Sequence, residues 1–283
     1  MIPIMAYDHS TKIGNQGDLV KHVALLSVLR HLSREWPSGR EFVYADLHSG
    51  RPEYELPSNG QWRRGVGLFS KALHERLVSP GQSEASLAHA TAFQADLFRG
   101  GLREGSRYLG SSGIAHRLLS RSGLKWRMEL WEKNVAAADD LIAHFGADGS
   151  HVRVVVGNGY EAVQAASGFG LVLIDPPALE TKAVLAAITA LKCANVPFIC
   201  WTPRTSRSVK PKEPEGSWTA AESARSIAFF EAACKVGSCF RIRWYRWGHR
   251  TPGCCITVSE GLSDIVAAAL RETLSVMGWE LGS

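Results

Sequence analysis

The sequence predicts an α/β fold, a mostly parallel sheet covered by helices on both faces and interrupted once by a small inserted helical subdomain. Three observations carry this expectation. Short apolar runs alternate with segments of helical periodicity along most of the chain. Those runs are continuously apolar, as strands buried on both faces require. The alternation lapses over residues 51 to 107, where turn clusters bracket helical segments. At 283 residues, 45% hydrophobic and 21% charged, the chain has the length for one domain with such an insertion.

The first element is amphipathic: Leu19, Val20, Val23, Leu26, Leu29 and Leu32 recur at helical spacing between residues 17 and 36, with Asn15 or Asp18 available as its cap. A buried strand over 42–46 then opens into the polar turn Leu47-His48-Ser49-Gly50, placed at the carboxyl edge of the sheet. Within the insertion, Pro57-Ser58-Asn59-Gly60 and Ser79-Pro80-Gly81 flank helical segments at 66–77 and 86–98. The alternation resumes with helix 114–120, strand 125–130, helix 135–145, strand 152–156, helix 160–166 and strand 171–174. A strand over 196–201 leads into a Pro-, Ser- and Lys-rich loop at 202–217 and a helix over 219–234. Strands over 240–247 and 254–258, joined by a hairpin-like turn, and a helix over 262–277 complete the chain. Three parts result: residues 1–50, the insertion 51–107, and the remainder 108–283.

The formal net charge of +5 and isoelectric point near 8.9 are compatible with a polyanionic partner without requiring one. The opening Met1-Ile2-Pro3-Ile4 is interrupted too soon for a signal peptide, and no stretch approaches the roughly 18–20 apolar residues of a membrane span, so a cytoplasmic protein is expected. All six cysteines lie in the last third without a C-x-x-C pair, and Cys254-Cys255 is poor disulfide geometry. Buried reduced thiols are expected, with neither zinc nor a disulfide framework.

The sharpest chemical signal is Leu171-Val172-Leu173-Ile174-Asp175-Pro176-Pro177, a buried strand ending in a carboxylate and two prolines. Ligands of open α/β sheets sit at the carboxyl ends of strands. A heterocyclic exocyclic amine is a poor nucleophile because its lone pair is delocalised. A carboxylate and a fixed carbonyl, each accepting one amine hydrogen, localise that pair toward an electrophile. Prolines lock φ and donate nothing, which leaves the carbonyls aimed. His48-Ser49-Gly50 is a cofactor-loop candidate or an ordinary turn, and Glu129 or Glu132 is the acidic partner for ribose hydroxyls or a surface carboxylate. Asn158-Gly159 either meets an adenine edge or is simply a turn. Trp201 is a pocket wall or core, and the basic-aromatic run 241–247 with Arg204, Arg207, Lys210 and Lys212 is either a phosphate contact surface or a solvated edge and loop.

Taken in order, Tyr7-Asp8-His9-Ser10, Ile13-Gly14-Asn15, Asp18-Leu19-Val20-Lys21-His22, Asp46-Leu47-His48-Ser49-Gly50, Tyr108-Leu109-Gly110-Ser111, Glu129-Leu130, Asn158-Gly159 and Asp175-Pro176-Pro177 resemble the bacterial 23S ribosomal RNA adenine N6-methyltransferase family. The resemblance implies a Rossmann-like class-I methyltransferase fold with a seven-stranded sheet, S-adenosylmethionine as cofactor, and no metal. It implies cofactor binding by His22, His48, Ser111, Glu129, Asn158, Gly159 and Asp175. Catalysis would fall to Asp175 and Pro176 with Lys21, and substrate binding to Tyr7, His9, Pro177, Ala178 and Trp201. Two departures bear on the acceptor: Thr11-Lys12 replace the family's Phe-His, and Ala178 stands where the family has an aromatic ring that stacks on a flipped base, a contact worth about 1–3 kcal/mol. Adenine N6 in ribosomal RNA, unfolded or precursor, is therefore expected as acceptor beside two alternatives: a small-molecule heterocycle or other amine, and cofactor binding without turnover.

Overall fold

The computed structural model describes residues 11–79, 87–97, 102–146, 151–203, 224–244 and 253–282. Its main sheet is built on β1 (Phe42–Asp46), flanked in parallel by β4 (Trp126–Glu132) and β6 (Leu171–Ile174). Beyond β4 lies β5 (Val152–Val156), and beyond β6 lies β7 (Phe198–Pro203), both parallel. Then β9 (Gly253–Val258) enters antiparallel between β7 and β8 (Ser238–Arg243), completing the seven-stranded Rossmann-like arrangement. An eighth strand, β10 (Glu280–Gly282), pairs antiparallel with β8 at the edge. The periodicity does not reveal this strand, because three residues are too few to show a repeat. It also removes the edge position expected for β8.

The strands bury both faces, and their period of two divides the core. Phe42, Tyr44, Leu171 and Leu173 point into one cluster with α1 (Gln16–Glu35), α4 (Ser111–Leu119) and α8 (Ser263–Met277). Val43, Ala45, Val172 and Ile174 point the other way, toward a 3-10 segment at Gly159–Gly168, α6 (Thr181–Cys193) and α7 (Ala224–Ala233). Asp46 shares the parity of Tyr44 and lies at 0% exposure beside α4. A helix α5 (Val135–Phe145) joins β4 to β5. The helix α6 was not among the expected elements, although Val184, Ala187, Ile188 and Leu191 recur at helical spacing and the parallel crossover from β6 to β7 needs one.

In the insertion, α2 (Val66–Leu77) and α3 (Ala88–Leu97) follow the expected helices, while β2 (Glu53–Glu55) and β3 (Arg107–Leu109) form a two-stranded antiparallel ladder at its root that periodicity did not disclose. Phe69, Leu73 and Phe93 share one apolar cluster with Leu25, Leu29 and Leu270 of the main body. Among the described residues, segment 51–107 thus packs into the apolar cluster of the main body.

The basic-aromatic run divides on folding. The Arg241 guanidinium lies 3.7 Å from the centre of the Phe230 ring, and Trp244 is buried against Trp279. Residues 245–247 and the cationic loop positions 204–212 lie outside the described residues. The six cysteines are free thiols, but Cys193 and Cys234 are exposed and Cys239 half-buried, contrary to the expectation that all are buried. Among the described residues no helix is long and apolar enough to cross a membrane, and no cluster of three or more His, Cys, Asp or Glu is placed to hold a metal.

The loops after β1 and β5 meet at Gly159, where a Cβ would stand 1.9 Å from the Leu47 carbonyl oxygen. Gly159→Ala is expected to lower stability by about 1–3 kcal/mol through this overpacking. A urea-unfolding midpoint equal to that of the parent protein would show that the two loops separate freely.

Candidate active site

The order of the sheet reverses at β1: the chain passes outward through β4 and β5 on one side and through β6 and β7 on the other. Such a switch point opens a crevice at the carboxyl ends of the strands. A cleft of about 930 Å³ lies there. It is lined by Lys21 and His22 from α1, residues 47–51 after β1, Ser111 at the start of α4, Glu132 at the end of β4, Asn158 and Gly159 after β5, Asp175 to Pro177 after β6, and Trp201 in β7. That volume lies within the ~300–1,000 Å³ of ordinary small-molecule sites.

At its centre Lys21 Nζ lies 2.5 Å from Asp175 Oδ2 and 3.0 Å from Asp18 Oδ1. Asp18 is itself anchored, accepting the Gly14 N–H at 2.8 Å, while its own N–H donates to Asn15 Oδ1 at 3.0 Å. Asn15 thus caps α1 through the Asp18 N–H, while the Asp18 carboxylate reaches back to the residue before that cap. Burial alone would lower the Lys21 pKa, yet Asp175 and Asp18 together hold it well above the ordinary lysine value. Lys21 remains a cation, and it orients the carboxylate at the end of β6.

His22 Nδ1 and the Tyr108 hydroxyl are 2.7 Å apart, with the two rings stacked. Burial, together with the nearby Lys133 cation, lowers the His48 pKa to about 3, so its imidazole is neutral. Its Nδ1 is buried without a hydrogen-bond partner among the described residues, and its ring meets Tyr160 edge-on at 5.0 Å. Gly50 adopts a left-handed φ of +59°, and a Cβ there would stand 2.7 Å from the Tyr54 hydroxyl, so this turn needs glycine.

Two carboxylates emerge whose roles the sequence left undecided or missed. Glu132 accepts the Gly50 N–H at 2.8 Å and the Asn134 N–H at 2.7 Å, joining the loop after β1 to the cap of α5. Glu129 does not line the cleft; it sits 3.8 Å from Arg153 on the next strand. Residues 129 and 132 differ by an odd number in a strand of period two, so their side chains leave opposite faces, and only the terminal one reaches the crevice. Asp46, behind the cleft, accepts from Ser111 Oγ at 2.7 Å, Tyr44 Oη at 3.1 Å and His48 N at 3.2 Å. Its place before the His48-Ser49-Gly50 turn was a signal that could have found it.

Asn158 lines the cleft while its side chain caps the 3-10 segment by accepting from Tyr160 N at 3.3 Å. Trp201 lies along the first turn of α1, where a Cβ on Gly17 would meet its ring at 2.8 Å. Its Nε1 is buried without a partner among the described residues. Pro177 lines the cleft, whereas Ala178 is exposed and outside it. Tyr7 and His9 lie outside the described residues.

Burial raises the Asp46 pKa to about 6, with hydrogen bonds from Ser111 and His48 opposing the shift. A raised carboxylate pKa means that the folded state holds a proton the unfolded chain releases near pH 4, so stability from this group falls as pH rises from about 4 to 6. Asp46→Asn removes that dependence. The unfolding free energy of the variant minus that of the parent should become more positive by up to about 3 kcal/mol between pH 4 and 7.5. A difference that stays constant across this range would contradict the buried, reluctant carboxylate.

No family model matches the chain. It is 30% identical over 183 residues to ribosomal RNA large subunit methyltransferase J of Haemophilus influenzae, an alignment covering 62% of this chain and 59% of the relative. The corresponding protein of Escherichia coli K12 is 29% identical over 180 residues with the same coverages of 62% and 59%. The chain thus matches less than two thirds of the length of these curated relatives. Over 96% of this chain and 98% of the other, the fold is similar to that of a Legionella pneumophila protein of known crystal structure, with a TM-score of 0.65 and 20% identity.

Proposed function

We propose that the protein is an S-adenosylmethionine-dependent N-methyltransferase acting on adenine N6 of large-subunit ribosomal RNA. The observation that carries this reading is the Asp175-Pro176-Pro177 turn at the switch point, its carboxylate held by a buried lysine. The cofactor's fit rests on the other end of the cleft. The unpartnered His48 Nδ1, the Glu132 carboxylate and the glycine-tight turn at Gly50 suit a nucleoside carrying donors and hydroxyls. His22, His48, Ser111, Glu132, Asn158 and Gly159 would hold it. When bound it supplies an electrophilic methyl group.

The chain's own residues supply position and field. A carboxylate offers about four acceptor sites, so Asp175 can retain Lys21 and still accept an amine hydrogen. The Pro176 carbonyl takes the second, which leaves the nitrogen lone pair directed away from both. Lys21 is a positioning group here: it touches Asp175, and through Asp18 it ties that carboxylate to the first turn of α1. Trp201 and Pro177 form apolar wall beside the turn and limit water around the reacting nitrogen.

A second reading, a small-molecule amine as acceptor, is favoured by Ala178, which is exposed and offers no ring to a flipped base. Transfer of labelled methyl from S-adenosylmethionine to protein-free ribosomal RNA, run beside a metabolite extract, separates the two. Label in RNA that weakens steeply with salt supports the first, and salt-independent label confined to small molecules supports the second. Asp175→Asn should reduce transfer by at least about 100-fold while cofactor binding persists. Lys21→Met should reduce kcat on the order of 100-fold by releasing the carboxylate. Full transfer by Asp175→Asn would sink the mechanism under either reading.

A further inference from the structure

Toward the other end of α1 from the cleft, α1, α3 and α4 enclose a second recess of about 240 Å³, whose rim carries Arg30, Arg34, Arg117 and Arg121 and whose floor is apolar, including Leu26, Leu97, Leu109 and Ile114. One carboxylate, Asp96, faces these four cations across it. The arginines are of two kinds. Arg30 is fixed by Asp96 at 2.5 Å and by the Ala92 carbonyl at 3.0 Å, and Arg117 by the Asp96 carbonyl at 2.6 Å, so two guanidiniums are set in place with donors to spare. Arg34 and Arg121 are exposed and meet no acceptor among the described residues. Cations favour helix C-termini, and that preference accounts for Arg34 and Arg117, each in the last turn of its helix. It accounts neither for Arg121, beyond the end of α4, nor for the apolar recess between the four.

The geometry points to a phosphate-binding site for single-stranded nucleic acid: a backbone phosphate bridged by Arg34 and Arg121, with the adjoining sugar or base over the apolar floor. This rests on the nucleic-acid reading of the catalytic cleft and extends it. From Lys21 to Arg34 is 13 residues of one helix, about 20 Å at 1.5 Å per residue, a separation that one strand of a few nucleotides can span. A fixed guanidinium pair beside a free pair suits a phosphodiester, since Arg presents a planar fork to phosphate oxygens.

The test compares the parent protein with Arg34→Gln/Arg121→Gln, and with Lys71→Gln/Arg103→Gln as a control of equal charge loss elsewhere on the surface. Each is titrated with an adenine-containing single-stranded RNA from about 0.05 to 0.3 M salt, with S-adenosylmethionine affinity measured in parallel. Removing two phosphate contacts at about 0.7 each should reduce the salt slope by about 1.4 and weaken binding roughly 25-fold at 0.1 M salt. The control should keep the parent slope, and cofactor affinity should be the same in all three. An unchanged slope in the Arg34/Arg121 variant, or an equal loss in the control, overturns the recess and leaves the catalytic reading standing. Absence of RNA binding by the parent protein itself overturns the nucleic-acid reading and the recess together.

Discussion

Much of the site depends on one buried cation. Lys21 lies almost wholly out of solvent between Asp18 and Asp175, so three charges share the interior at the junction of α1 and β6. Such burial costs desolvation that only close partners and further hydrogen bonds offset. Both are present: Asp18 takes a backbone N–H from Gly14, and Lys21 donates to each carboxylate. The consequence is mechanical as much as electrostatic. The first turn of α1 cannot shift relative to the end of β6 without separating buried charges, and Trp201, packed on Gly17, closes the same junction from the side of β7.

A second polar centre organises the opposite half of the cleft. Asp46 at the end of the central strand gathers Ser111 from α4, Tyr44 from its own strand and the backbone of His48. Glu132 does the equivalent for Gly50 and Asn134. Carboxylates thus tie the loops after β1 and β4 to their neighbouring helix starts, so the crevice is lined by backbone and side chains whose orientations are already set. A site organised in this way is preorganised, and preorganisation is what positional and electrostatic catalysis requires.

Position 178 shows how a motif and its setting can part. The Asp-Pro-Pro turn lines the cleft at the switch point, but the next side chain lies outside it and carries no ring. Trp201 is the large aromatic wall on this side of the cleft, and it comes from a different strand. The aromatic surface beside this turn is thus supplied by the fold and not by the residues that follow Asp175 in sequence.

The sequence by itself determined the sheet's main strands, the long first helix, both insertion helices and the strand-end residues His48, Asn158, Gly159 and Asp175. Each leaves a local mark: an apolar run, a helical period, or a polar turn at a strand end. His22 and Ser111, which lie on helices, leave no such mark and were indicated only by the family resemblance. Tertiary structure alone decided the rest. The ladder of β2 with β3 and the edge strand β10 are too short for any period and exist through partners distant in sequence. Which of Glu129 and Glu132 reaches the cleft depends on strand parity and on where β4 ends. The chain of Asp18, Lys21 and Asp175 joins residues 154 positions apart, and the arginine recess joins two helix ends that no spacing relates. Periodicity reports which face of an element is buried; which faces meet, and so which charges become neighbours, is settled only when the elements pack.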